Sequence, residues 1–142
     1  MSAYADTSLL VSLYVLDVNS ARAAARMKSA RLPLFLTPFG EIEMTNALHL
    51  RQFRKEVDPS TVRTAHALFR QDIERGVFDL KPLSSAVFDR GRQLAEKHTP
   101  HLGTRTLDVL HVASALVLQA DQFYTFDKNQ AKLARLEGLT VP

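Results

Sequence analysis

Four short apolar runs separated by helix-length stretches constrain this chain most. The runs are Ala3-Tyr4-Ala5, Leu34-Phe35-Leu36-Thr37, an alternating segment within Val77 to Leu83, and Gln122-Phe123-Tyr124-Thr125-Phe126. Each is too short for a buried helix and is bounded by capping or breaking residues, so each reads as a strand. Between them, helices are expected from Asp6-Thr7-Ser8 to Tyr14, from Ser20 to Ala30, and from Glu41 to Lys55. Asp58-Pro59 opens another that runs to about Arg75, where Gly76 stops it. Ser84 opens one ending near His98-Thr99-Pro100, Thr106 to Ala120 forms the next, and Lys128 to Glu137 the last, stopped by Gly138. Leu139-Thr140-Val141 reads as a final strand. Strands alternating with helices predict an α/β fold, with a parallel sheet covered on both faces.

At 142 residues and 46% hydrophobic, the chain suits one domain spanning 1–142 and is not a disordered polymer. There is no cysteine, which excludes a disulfide scaffold, thiol catalysis and thiolate-bound zinc or iron–sulfur clusters. The net charge of +3 suits a polyanionic partner without requiring one. No stretch matches a secretory leader or a spanning helix, so a cytoplasmic protein without membrane contact is expected.

Ligands of parallel sheets bind beyond the C-terminal strand ends. Asp6 follows the first run and Asp127 the last, while Asp108 is the only Asp, Glu, Lys or Arg in the apolar helix Thr106 to Ala120. Glu43 lies on the helix after the second run. Read singly, each acid has an ordinary use. Asp6 and Asp127 cap the helices that follow, Asp108 pairs with Arg105 or Arg90, and Glu43 is a solvated helix acid. Read together, acids converging on one point require a cation, and an oxygen-only donor set selects Mg²⁺ or Mn²⁺.

Four pieces in order carry a resemblance: Asp6-Thr7-Ser8, Glu43-x-x-Asn46-Ala47-Leu48, Leu107-Asp108-x-Leu110-His111-x-Ala113 and Thr125-Phe126-Asp127. The chain resembles PIN-domain proteins, and most of all the VapC-type toxin ribonucleases of type II toxin–antitoxin pairs. The resemblance implies a three-layer α/β/α fold with a mostly parallel sheet. It also implies a Mg²⁺- or Mn²⁺-dependent endoribonuclease that hydrolyses RNA phosphodiesters, is restrained by a cognate antitoxin and forms a homodimer. By the same resemblance, Asp6 and Asp108 are the primary metal ligands, and Asp127 holds a second metal or a metal-bound water. Glu43 ligates the metal or positions the attacking water, with Glu41 the alternative two residues earlier. Thr7, Ser8 and Thr125 are hydroxyls for the water shell.

Arg105 suits a scissile phosphate or an antitoxin carboxylate, and otherwise a surface arginine or a partner for Asp108. Arg51, Arg54 and Lys55 form the densest basic cluster, suited to RNA or antitoxin and equally to a solvated helix end. His111 follows Asp108 by three residues and reads as a packed histidine before a general base. Three other readings remain: a PIN nuclease of RNA processing, a non-catalytic PIN-like module binding RNA or a partner, and, weakest, a receiver-type signalling module. The last lacks the paired N-terminal acids and central phosphoryl-accepting aspartate it needs.

Overall fold

The computed structural model describes all residues, 1–142, and contains four strands and seven helices. The strands are β1 (Ala3–Ala5), β2 (Leu34–Leu36), β3 (Phe78–Leu80) and β4 (Gln122–Tyr124). The helices are α1 (Thr7–Tyr14), α2 (Ser20–Ser29), α3 (Pro38–Phe53), α4 (Pro59–Glu74), α5 (Ser85–Leu102), α6 (Thr106–Val117) and α7 (Lys128–Leu136). The sheet is parallel throughout, in the order β3-β2-β1-β4, with Tyr4 in register with Phe35 on one side and Phe123 on the other.

Alternation along the strands divides the core into two. Ala3, Ala5, Leu34, Leu36, Phe78 and Tyr124 face one way and pack with Leu9, Leu10, Met44, Leu48 and Phe69. Tyr4 and Phe123 face the other way, against Val109, Val112, Ala115 and Leu133. A parallel sheet with both faces apolar needs helices on both, and it has them: α1, α3 and α4 on one side, α6 and α7 on the other. This is the expected three-layer α/β/α arrangement, with a wholly parallel sheet.

Several boundaries differ from those read in the sequence. Helix α3 begins at Pro38, three residues before Glu41, because Thr37 Oγ1 accepts from Gly40 N–H at 3.2 Å and proline is at home in a first turn. Helix α5 continues through Pro100 to Leu102 and ends at Gly103, whose φ of 63° lies in the left-handed region that favours glycine. Leu139-Thr140-Val141 forms no strand; Thr140 makes a single parallel bridge to Gln122. Proline in the last turn removes one helical hydrogen bond only, so that turn survives.

Beyond the core, Glu137 ties α7 to α5. Its carboxylate, only 7% exposed, accepts from His98 Nε2 at 2.7 Å, Arg90 at 2.9 Å and Lys97 at 3.3 Å. Burial pushes the Glu137 carboxyl up, but the His98 and Lys97 hydrogen bonds outweigh it and hold the group below the usual range. The Lys97 side chain is 68% exposed and Arg90 41%, so solvent weakens both of these pairs, whereas His98 is 9% exposed. Glu137→Gln is expected to lower the unfolding free energy by about 1–2 kcal/mol at neutral pH. A depressed carboxyl stabilises above its unfolded pKa of about 4.3 and loses that contribution on acidification. Denaturant melts of both proteins should therefore converge as pH falls below about 4.

Candidate active site

The sheet order reverses between β1 and β4, since β2 and β3 lie on one side of β1 and β4 on the other. In sheets of this kind ligands bind at such a reversal, outside the C-terminal strand ends, and Asp6 and Asp127 follow the two strands, β1 and β4, that flank it. Asp6 is completely buried. As N-cap of α1 it accepts from Leu9 N–H at 3.1 Å, from Ser8 Oγ at 2.7 Å and from Thr125 Oγ1 at 2.5 Å. Hydrogen bonds to a carboxylate contribute about 1.5–3 kcal/mol each, yet full burial of a charge costs more. Burial therefore pushes the Asp6 carboxyl above its usual range, against His111 and the three donors, which pull it down.

Thr125 joins Asp6 to Asp127, because the same hydroxyl accepts from Asp127 N–H at 2.9 Å. Asp127 caps α7 through Gln130 N–H at 2.8 Å. The Gln130 side chain reaches back to α6, where its Nε2 donates to Asp108 Oδ1 at 3.0 Å. Asp108 Oδ2 accepts from Arg105 N–H at 3.2 Å, which closes the first turn of α6. Gln130 Oε1 is buried and has no donor. Gln130 thus sits between two of the acids with an acceptor unused, a residue no sequence motif singled out.

Glu43 comes from another element, six residues into α3. Its Oε1 accepts from Thr7 Oγ1 at 2.9 Å and from His111 Nε2. Burial raises its carboxyl, but His111 and Thr7 together bring it below the usual range. Glu41 lies two residues earlier on a different face, beside Ile42, Thr45 and His49. His111 is buried among aromatic rings and also bonds Tyr4 Oη at 2.8 Å through Nδ1. It packs, as the sequence suggested, and it also reaches Glu43, which the sequence did not show.

The basic residues distribute unevenly. Arg105 is exposed, and only its backbone touches Asp108; Arg90 pairs with Glu137, so neither arginine neutralises Asp108. Arg51 is bound to Asp17 at 3.2 Å, while Arg54 and Lys55 are exposed. Arg51 lies two helical turns beyond Glu43, about 12 Å along α3. A groove of about 300 Å³ between α1 and α3 nonetheless connects the two regions, with Thr7 and Ser8 at one end and Arg51 and Arg54 at the other.

The oxygen donors around these acids are carboxylates, hydroxyls and one amide, a set chemically fitted to a hard divalent cation. A fully buried carboxylate pushed toward its neutral form is the state that such a cation would reverse. No three acidic or histidine side chains already converge at coordinating distance, since Asp6, Asp108 and Asp127 are engaged in helix-end hydrogen bonds. Donor chemistry fits the cation, while the carboxylates are not gathered around one point.

Comparison with known proteins follows the same lines. The family profile described as the PIN domain matches residues 3–136. Among curated proteins no sequence matches. The fold resembles VapC20 of Mycobacterium tuberculosis, a sarcin–ricin-loop-cleaving toxin, with a TM-score of 0.71, 16% identity, and 92% of this chain and 94% of that one covered. It also resembles a toxin–antitoxin complex from Klebsiella pneumoniae, with a TM-score of 0.70, 14% identity and coverage of 98% and 96%. FitAcB from Neisseria gonorrhoeae gives 0.68, 16%, and 98% and 95%. At these identities the likeness is one of fold.

Because an ionised Asp6 is costly where it lies, Asp6→Asn should raise the stability of metal-free protein by about 0.5–2 kcal/mol. A raised carboxyl destabilises the folded state as pH rises from about 4 through its folded value, and the variant should lack that slope. Denaturant melts in EDTA across that pH range measure both.

Proposed function

The chain belongs to the PIN domain family, and from that premise we propose that it is a Mg²⁺- or Mn²⁺-dependent endoribonuclease acting as the toxin of a toxin–antitoxin pair. The reading is carried by one observation. Asp6, Asp108 and Asp127 are linked through Thr125 and Gln130 at the C-terminal sheet edge, and Glu43 is fastened to Thr7, the neighbour of Asp6. Folds resembling a toxin that cleaves an RNA loop and a toxin–antitoxin complex point to the same class.

In this reading Asp6, Asp108 and Asp127 hold the cation. When bound, it supplies positive charge that neutralises the acids, polarises water and stabilises negative charge developing on the phosphodiester. Thr125 and Ser8 keep Asp6 oriented through hydroxyl hydrogen bonds, and Gln130 does the same for Asp108. Glu43, held in its charged form, accepts a hydrogen bond from the attacking water and aligns it with phosphorus. Arg54 and Lys55 offer exposed cations to RNA phosphates or to an acidic antitoxin segment, and Arg51 joins them when released from Asp17. Arg105, exposed at the start of α6, stands ready to receive a phosphate oxygen or an antitoxin carboxylate. A homodimer that takes up antitoxin completes the proposal.

Purified protein freed of antitoxin and incubated with total cellular RNA tests it. Cleavage is expected with Mg²⁺ or Mn²⁺ and not with EDTA, and Asp108→Asn should reduce it by at least ~10²-fold while remaining folded. Cleavage indifferent to EDTA, or none with any divalent ion, contradicts the proposal.

A further inference from the structure

Glu43 has two carboxylate oxygens, and the chain uses only one. Thr7 Oγ1 and His111 Nε2 both donate to Oε1, whereas Oε2 receives no hydrogen bond from the protein. The His111 side chain is 1% exposed and the Glu43 side chain 24%, so the histidine is shut off from solvent while the glutamate still reaches it.

Behind Glu43 the clamp is rigid. His111 Nδ1 bonds Tyr4 Oη at 2.8 Å, and Tyr4, completely buried at the centre of the sheet, lies 3.5 Å from Thr37 Oγ1. The Tyr4 ring stacks on Phe123 at 5.5 Å with 6° between planes, and Phe39 lies 4.5 Å from the His111 ring. Burial raises the Tyr4 hydroxyl far above its usual range, so it stays protonated. That hydroxyl can donate to a neutral imidazole or accept from a charged one, so the ring remains held in either state. Thr37 in turn caps α3, the helix that carries Glu43. Four elements, β1, α1, α3 and α6, thereby fix one carboxylate.

A glutamate on an exposed helix face samples many rotamers, and one misplaced by about 1 Å is a poor partner for a reacting water. We propose that His111, backed by Tyr4, is a positioning residue that locks Glu43 Oε1 and leaves Oε2 as the oriented acceptor for the water that attacks the phosphodiester. This rests on the nuclease reading and adds to it a role for two residues remote from the substrate. His111 touches neither RNA nor cation; it acts through Glu43.

Single-turnover and steady-state cleavage of one RNA substrate in Mg²⁺ tests this, with thermal melts as a check on folding. His111→Leu should lower kcat by about 10–10²-fold with KM almost unchanged, because the change affects alignment and leaves RNA contacts intact. His111→Gln places an amide N–H near the position of Nε2 and should recover most of that loss. Tyr4→Phe keeps the stacked ring, removes the bond to Nδ1 and should lower kcat several-fold; it carries the test if His111→Leu does not fold. Folded His111→Leu or Tyr4→Phe protein cleaving at the wild-type rate overturns the inference while leaving the nuclease reading standing. So does a loss confined to KM, or His111→Gln as impaired as His111→Leu. Wild-type protein that leaves RNA intact overturns both.

Discussion

The completely buried carboxylate of Asp6 is the constraint around which the rest of the site is arranged. It sits at the end of the central strand, where the chain turns from β1 into α1, and it must be satisfied there without water. Its neighbours supply what they can: Leu9 N–H as part of a helix cap, Ser8 and Thr125 through hydroxyls. These donors do not offset the burial, and the group stays raised. Burial disfavours the charged form of this acid, and a divalent cation bound beside it would favour that form again.

The scaffold explains why the acids gather there. A parallel sheet aligns the C-terminal ends of all its strands on one edge, and the order β3-β2-β1-β4 puts the reversal beside β1. Asp6 and Asp127 follow the paired strands β1 and β4, and Glu43 rides on the helix after β2, the other neighbour of β1. Asp108 is delivered from another direction, by the turn at Gly103 that lets α6 start at the same edge and run back beneath the sheet. Capping and candidate chemistry are therefore not alternatives. Asp6, Asp108 and Asp127 each serve a helix N-terminus, whose positive end also favours the carboxylate form.

Much of this was legible in the residues, and the reasons for the remainder are physical. Alternation of apolar runs with amphipathic stretches reveals a parallel α/β sheet, because the inner strand β1 buries side chains on both faces. Asp6, Asp108 and Asp127 stand out because each follows a strand or interrupts an apolar helix, and Glu43 through its spacing to Asn46-Ala47-Leu48. The start of α3 at Pro38 was hidden because proline reads as a stop as readily as a first turn. The final bridge at Thr140 looks like a strand because three apolar or β-branched residues suffice locally, while pairing depends on the neighbouring strand. Contacts between distant residues left no local signal. His111 meets Tyr4 across 107 positions and Glu43 across 68, so spacing along α6 reveals only that His111 shares a face with Asp108. Gln130 looks like an ordinary polar residue of α7, and its place between Asp108 and Asp127 depends on how α6 and α7 pack.

Taken together, the acids should act as one cation site, even though they do not converge at coordinating distance. The most direct measurement of that claim is paramagnetic broadening of backbone amide signals during a substoichiometric Mn²⁺ titration of isotope-labelled protein. The account predicts early loss of signals from residues near Asp6, Asp108 and Asp127, with those around Glu137 and Asp58 unaffected. Broadening scattered over exposed surface acids, or none around Asp6, would contradict it.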